Sequence, residues 1–258
     1  MSGALAGVAA VLADLEGTLY EASRAVPGAA DALAALSSRG IAHAFITNTT
    51  SRPRSQLVRE LAAMKISADP GRILTAPRAA RDFLAGRGWL RCHLMVRPAV
   101  LEDFSGIAHT DEAPDAVVVG DLGEDFSYGR LNRAFRLLTA GSGFVTLARN
   151  LFYRAEGGLV LDQGPFVAAL ELAAGRPATL VGKPSSEFFR AAIRLLGVEP
   201  SRIAVVGDDL DVDVGGGQAL GMRGVLVRTG KFREEDVARS PFRADAVIDS
   251  LADLPSLF

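Results

Sequence analysis

The 258 residues of this chain predict an α/β fold, a doubly wound parallel sheet with a smaller α/β domain inserted into it. Three observations carry that expectation. Short apolar runs alternate with stretches of helical periodicity, and runs that are apolar throughout read as strands covered on both faces, as in a parallel sheet. Several of these runs close on a carboxylate, a hydroxyl cluster or a lysine, which is where parallel sheets hold their ligands. The pattern changes register near Thr75-Ala76-Pro77 and breaks again at Ala174-Gly175-Arg176-Pro177. The stretch between these two chain crossings is long enough to fold by itself.

Composition bounds the function. The length allows two domains of ~100–150 residues. With 28 Lys+Arg against 30 Asp+Glu the charge is balanced, so no global field favours nucleic acid or an anionic membrane, and a small anion needs a local site. The single cysteine, Cys92, excludes an internal disulfide and a multi-cysteine metal site and reads as a small buried hydrophobe in a reducing compartment. No apolar run approaches the ~18–20 residues that span a bilayer. Residues 3–13 are apolar, but no basic residue precedes them and Asp14 follows at once. A first strand is therefore expected there rather than a signal peptide, in a cytoplasmic protein.

The first run, Val8–Ala13, ends in Asp14-Leu15-Glu16-Gly17-Thr18. Gly17 lets the chain turn sharply, and Thr18 adds a hydroxyl near any anion bound there. Alone, the motif fits an ordinary strand exit as well as a reactive carboxylate. A helical pattern follows through Ala30, Leu33, Ala34 and Leu36, closed by Arg39-Gly40. The strand Ile41–Ile46 then ends in Thr47-Asn48-Thr49-Thr50-Ser51, ahead of a helix from about Arg54 to Met64. That polar cluster is either an anion site at a helix start or an ordinary N-cap. His43, His93 and His109 are isolated, with no spacing that suggests a metal site.

Within the insert, His93–Val96, Ala116–Gly120 and Phe144–Ala148 read as strands, with a helix over Tyr128–Leu138. Beyond Pro177, Ala178–Gly182 is expected to resume the first domain as a strand ending in Lys183-Pro184-Ser185-Ser186, followed by a helix over Glu187–Leu196 that Gly197 stops. By itself Lys183 reads as a solvated charge. The strand Arg202–Val206 ends in Gly207-Asp208-Asp209-Leu210-Asp211-Val212-Asp213. Aspartates packed that densely call for a divalent cation held by oxygen ligands, unless the loop is simply solvated. Gly215-Gly216-Gly217 permits close approach of a helix to the sheet, Val225–Val227 adds a strand, and Lys231–Asp236 reads as a solvated loop or helix face.

Four core strands are thus expected to end in a carboxylate, a hydroxyl cluster, a lysine and a carboxylate cluster, converging on one sheet edge. Those are the parts needed for phosphoryl transfer through an acyl-phosphate. In this order and context Asp14–Thr18, Thr47-Asn48, Lys183 and Gly207–Asp213 resemble the four motifs of the haloacid dehalogenase (HAD) superfamily of aspartate-nucleophile phosphohydrolases. The position of the insert resembles the C2-capped branch. The resemblance covers essentially the whole chain. It implies a HAD-like Rossmannoid core of residues 1–77 plus 178–258 and a C2-type cap, acting as a substrate lid, of residues 78–177.

The resemblance also assigns roles. Asp14 is implied to attack phosphorus and become transiently phosphorylated. Mg2+ is implied to be held by Asp14, Asp208 and the backbone carbonyl of Glu16, with Asp209 and Asp213 in support. Lys183 would neutralise and orient Asp14, and with Thr47 and the N–H groups of Leu15, Glu16 and Asn48 it would bind phosphate oxygens. The implied partner is a small phosphorylated metabolite, with no nucleic acid and no membrane. Relatives with such caps often form homodimers through the cap, though no seam is visible in this sequence.

Two departures stand out. Most phosphatases of the superfamily carry aspartate two residues after the nucleophile, where it protonates the leaving group and then activates water; here the residue is Glu16. The extra methylene displaces the proton, and close relatives in this branch often have serine there. The cap carries Ala148-Arg149-Asn150 where many relatives have Thr-Asn-Pro-Asp, and Arg149, Asn150, Arg154 and Asp162 are candidates to face a substrate. The expected function is Mg2+-dependent hydrolysis of a small phosphomonoester. The alternative is a protein that keeps the fold, binds a phosphate ligand or a partner, and turns over weakly because of Glu16. A receiver-like phospho-acceptor also uses Asp, Thr and Lys at strand ends, but the insert and the late acidic cluster argue against it.

Overall fold

The computed structural model describes residues 3–155 and 157–258, the side chains of residues 154 and 155 excepted. The chain divides into two compact units, one of residues 1–47, 55–74 and 183–258, the other of residues 48–54 and 75–182.

The first unit is built on a six-stranded sheet in the order Ala246–Ile248, Arg223–Val227, Ile203–Gly207, Ala10–Asp14, Ala42–Thr47, Ile73–Thr75. The first five strands run parallel. Ala10–Asp14 and Ile203–Gly207 are buried along their whole length, as unbroken apolar runs require. From Ala10–Asp14 the chain builds outward first to one side and then, through Ile203–Gly207, to the other. This central strand therefore borders the switch point at which doubly wound sheets open a crevice. Its register pairs Ala13 with Val206 and Asp14 with Ile46, so Asp14, Thr47 and Asp208 leave the sheet at the same edge.

The helix Ser186–Leu196 lies against Ala42–Thr47. Its amphipathic spacing buries Phe188, Phe189, Ala192 and Leu196, the large apolar side chains being worth roughly 1.5–3 kcal/mol each. The Ser185 hydroxyl caps it by accepting from Phe188 N, and Gly197 ends it in the left-handed conformation. At the triple glycine the expected close approach is present: a β-carbon on Gly217 would overlap Val205 of the sheet.

The second unit has a five-stranded parallel sheet in the order Thr179–Leu180, Gly143–Thr146, Ala116–Val119, Arg91–Met95, Ala108–His109. One apolar cluster, with Leu94, Val118 and Val145, covers one face, and another, with Met95, Val117 and Phe144, covers the other. The alternation of the two sets along each strand is the period-two pattern of a sheet buried on both sides. An antiparallel hairpin, Phe152–Ala155 with Gly158–Leu161, follows the strand Gly143–Thr146.

One expectation needs correcting. The strand after Pro177 does not resume the core sheet; it is reduced to Thr179–Leu180 and pairs with Val145 and Thr146 of the second unit. The apolar run there was short enough to serve either sheet, and pairing decided it. Lys183 thus follows a strand of the second sheet, and three core strands rather than four carry the motif residues out of the core sheet.

Candidate active site

Asp14, Lys183, Asp208 and Asp213 form one buried cluster within the first unit, none more than 6% exposed. Asp14 closes the central strand and Asp208 follows Gly207 at the end of its neighbour. Asp213 is returned to the cluster by the helical turn Leu210–Gly215. Asp209 caps that turn: its Oδ1 accepts from Asp211 N at 3.2 Å and Val212 N at 3.0 Å. Asp209 thus shapes the loop, and it also touches the cluster: its N–H donates to Asp213 Oδ2 at 3.3 Å and its charge adds to the upward push of burial on Asp213. The carbon-free face of Gly207 makes room for the Asp213 side chain, which a β-carbon would overlap.

Lys183 Nζ donates to Asp14 Oδ1 and to Asp213 Oδ1, each at 2.5 Å. Burial opposes its charge, yet Asp14 and Asp213 outweigh it and hold the ammonium above the ordinary lysine range. The carboxylates respond in the opposite sense. Burial raises Asp208 to about 6, with Asp213 adding to the push. Burial raises Asp213 to about 7 despite Lys183. Asp14 is likewise raised by burial against the pull of Lys183. Lys183 hydrogen-bonds Asp14 and Asp213, and the Lys231 side chain acts on Asp14 and Asp208 through its charge, so the cluster carries a surplus of acidic groups.

This surplus decides whether a cation fits. Asp14, Asp208 and Asp213 each offer a carboxylate oxygen, all within 4.8 Å of one another. An all-oxygen, multiply anionic donor set suits a hard divalent cation such as Mg2+. Asp213, expected only in support, stands with Asp14 and Asp208 in that set.

Glu16 lies outside the cluster and is exposed. The backbone around it is pinned, since Gly17 N donates to Tyr20 O at 2.8 Å and residue 16 forms a bridge with Tyr20. Thr47 ends its strand buried, whereas Asn48 belongs to the second unit. Arg149 is held by Glu171 through two hydrogen bonds and by the Ala178 carbonyl at 3.1 Å. Asn150 bonds the Asp162 side chain, whose carboxyl burial raises. The side chain of Arg154 is outside the described residues.

Residues 229–231 were not anticipated. Lys231 N donates to Asp208 Oδ2 at 2.7 Å, and the Thr229 hydroxyl donates to the Gly17 carbonyl. This loop, of which only Lys231 fell in the run Lys231–Asp236 read from sequence as solvated, positions both the Asp208 carboxylate and the turn after Asp14. Its contribution combines the Lys231 backbone N–H, the Thr229 hydroxyl and the Lys231 charge, which pulls Asp14 and Asp208 down against the push of burial. No spacing in the sequence ties these to the motifs, and only Gly230, in the left-handed region beside Asp208, hints at it.

Sequence comparison settles the family. Human haloacid dehalogenase-like hydrolase domain-containing protein 2 is 43% identical over 227 residues, covering 88% of this chain and 86% of that protein. The chain belongs to the haloacid dehalogenase-like hydrolases. Its residues 11–107 match the haloacid dehalogenase-like hydrolase family profile, and residues 180–254 match a second, HAD-hydrolase-like profile. The human phospholysine phosphohistidine inorganic pyrophosphate phosphatase is 37% identical over 259 residues, 98% of this chain and 95% of that one. Among solved structures, the 4-nitrophenylphosphatase of Thermotoga maritima superposes with a TM-score of 0.90 at 29% identity, covering 98% of both chains. NagD from E. coli K-12 superposes at 0.88 with 25% identity and the same coverage. Both profile matches contain the acidic residues of the cluster, Asp14 in one and Asp208 and Asp213 in the other.

Proposed function

We propose that this haloacid dehalogenase-like hydrolase is a Mg2+-dependent phosphatase of small phosphomonoesters that works through an aspartyl-phosphate on Asp14. One observation carries the reading. Asp14 is a buried carboxylate at the end of the central strand, in 2.5 Å contact with Lys183 and beside two further carboxylates that suit a divalent cation. Relatives named as phosphatases, among them the Thermotoga maritima 4-nitrophenylphosphatase, support the same reaction class.

In the proposed reaction an Asp14 oxygen attacks phosphorus in line with the ester oxygen, and the P–O ester bond breaks as the new P–O bond forms. Glu16 gives its proton to the departing alkoxide, then as a carboxylate takes one from water. The water oxygen attacks the aspartyl-phosphate, releasing phosphate and restoring Asp14. Lys183 holds Asp14 in one orientation and neutralises it for approach to an anion. Thr47 and nearby backbone N–H groups bind the phosphate oxygens. Asp14 and Asp208, with Asp213 and the Glu16 carbonyl beside them, would hold Mg2+, whose charge cancels part of the repulsion between nucleophile and phosphate. The first unit carries this chemistry, and the second is read as the lid that selects a small phosphorylated metabolite.

Among the described residues no helix is long and apolar enough to cross a membrane. A cytoplasmic protein without nucleic-acid partners, paired through its second unit, completes the reading.

The test is hydrolysis of 4-nitrophenyl phosphate with and without Mg2+, beside Asp14→Asn. Activity that requires both the metal and Asp14 is the expected result. Unchanged Mg2+-dependent activity in Asp14→Asn removes Asp14 from the mechanism. A folded, Mg2+-binding protein without activity supports the second reading, a phosphate-ligand or partner-binding protein, which the exposed position of Glu16 favours.

A further inference from the structure

The histidines that looked isolated in sequence meet in the second unit. His93, His109, Arg130 and Arg133, with Leu94, Met95, Asp111 and Gly129, line a cleft of about 310 Å3. The parallel pairing of Arg91–Met95 with Ala108–His109 brings the two histidine rings to 5.6 Å. Arg130 and Arg133 come from the first turns of the helix Tyr128–Thr139, whose N-terminal dipole adds positive potential.

Hydrogen bonding fixes what each ring can do. His109 Nδ1 accepts from Leu94 N at 3.1 Å, so its proton resides on Nε2. His93 Nδ1 lies 2.6 Å from Asp111 Oδ1, and that carboxylate, held below its ordinary range despite its partial burial by the His93 contact, makes Nδ1 the donor. The Nε2 edges are left for a ligand. His109 presents an N–H there, which cannot ligate a metal while Leu94 holds Nδ1. His93 presents a site that becomes a second N–H on protonation. Among the described residues the Arg130 guanidinium has no partner, since only its backbone N is engaged, by the Ser127 hydroxyl. Arg133 donates to the Asp111 carbonyl at 2.8 Å and stands 3.8 Å from its carboxylate.

We infer that this cleft binds the oxyanion group of a small organic ligand, a phosphate or carboxylate, through His109 Nε2–H, Arg130 and the Nε2 edge of His93, which takes up a proton as the anion binds. Burial holds the free His93 imidazole below its ordinary range against the pull of Asp111, so the bound anion is what stabilises that proton. The donors are the fixed, charge-assisted kind that oxyanions select. The volume is at the lower end for small-molecule sites and exceeds what a bare phosphate fills, so room is left for an organic portion. Metal binding by His93, His109 and Asp111, whose ligand atoms lie within 4.8 Å of one another, would have to break the Leu94–His109 bond and bring a cation beside two arginines. The anion is favoured on both counts. This inference does not rest on the phosphatase reading.

The chain has three histidines, so their imidazole nitrogen resonances in 15N-labelled protein can be assigned, with His43 as internal reference. Phosphate and citrate are titrated separately, which distinguishes phosphoryl from carboxylate ligands. Saturable movement of the His93 and His109 Nε2 resonances is expected, with His93 Nε2 changing from the unprotonated to the protonated signature. Arg130→Glu, at an exposed residue without a side-chain partner, should leave the fold intact and weaken the effect at least about tenfold. No movement with either anion overturns the inference. So does stoichiometric binding of Zn2+ to these histidines with no response to anions, or an unaltered anion response in Arg130→Glu.

Discussion

Lys183 and Asp14 are 169 residues apart in the chain and 2.5 Å apart in space. The contact brings the lysine after the second sheet's last strand to the carboxylate at the end of the core's central strand. Because Lys183 also holds Asp213, its ammonium bridges two buried carboxylates. Replacing it by methionine leaves both without that cation. Breaking a buried pair from one side costs ~3–5 kcal/mol, and loss of the charge beside the proposed nucleophile costs turnover on the order of 10²-fold or more. Denaturant midpoints and kcat for Lys183→Met should both fall. Wild-type stability in the variant would show that the pairing contributes nothing.

The raised carboxyls of Asp208 and Asp213 make a pH prediction. Their folded-state values, about 6 and about 7, lie above the ~3.9 of an unfolded aspartate. The folded protein therefore binds these protons more tightly, and stability is lost as pH rises from about 4 through 7. Metal-free protein should lose roughly 2–4 kcal/mol from these groups between pH 5 and pH 8. His43 and His93, pushed down chiefly by burial, act in the opposite sense as pH falls below about 6.5, so the effect is isolated by comparison with Asp208→Asn. Lys183, shifted upward, contributes its full stabilisation throughout this window. Thermal melts should also show a Mg2+-dependent increase that is larger at pH 8 than at pH 5, because the cation needs ionised ligands. A Mg2+ effect independent of pH would contradict the assignment of these carboxylates as its site.

Arg149 was expected to face a substrate, and its contacts favour another role. Two hydrogen bonds to Glu171 and one to the Ala178 carbonyl tie the segment after the strand Gly143–Thr146 to the helix Gly164–Ala174 and to the approach of the last strand. The pair is partly exposed, with side-chain accessibilities of 42% and 20%, so its ionic part is worth about 1 kcal/mol or less. Arg149→Ala should lower the melting temperature by a few degrees and leave KM for 4-nitrophenyl phosphate within about twofold. A KM rise of tenfold or more with unchanged stability would restore the substrate-facing role.

Much of this was legible in the sequence, for physical reasons that differ by element. The central strand could be read because a strand buried on both faces must be apolar throughout, and its end because Asp14 stops the run abruptly. Gly17 was read as a turn, and it has φ +91° with the Asp208 carboxylate packed where a β-carbon would be, so the same glycine serves the turn and the cluster. Lys183 was found but attached to the wrong sheet, since a five-residue apolar run does not state its pairing partner. The contribution of residues 229–231 was missed because a backbone N–H, one hydroxyl and one lysine in a charged loop carry no spacing that links them to Asp14 and Asp208. The His93–His109 meeting was missed because adjacency across parallel strands leaves no spacing in sequence.

In the proposed reaction Glu16 is the residue that moves the proton. Its backbone is fixed on both sides, by Asp14 at the end of a five-residue buried strand and by the Gly17–Tyr20 hydrogen bond of 2.8 Å. The chain therefore cannot slide back to absorb an extra methylene, and side-chain length alone sets where the proton is delivered. A misplacement of about an ångström costs up to ~10²-fold, while complete loss of a general acid–base group costs ~10²–10⁴-fold. Glu16→Asp should raise kcat on 4-nitrophenyl phosphate by roughly tenfold or more, and Glu16→Gln should lower it by at least that factor. The contrast is sharper for an alkyl phosphate, whose leaving group needs the proton more than nitrophenolate does. If Glu16→Gln turns over an alkyl phosphate as fast as wild type, Glu16 carries no proton in the reaction. A lower rate in Glu16→Asp would mean that the active-site geometry is built around the longer side chain.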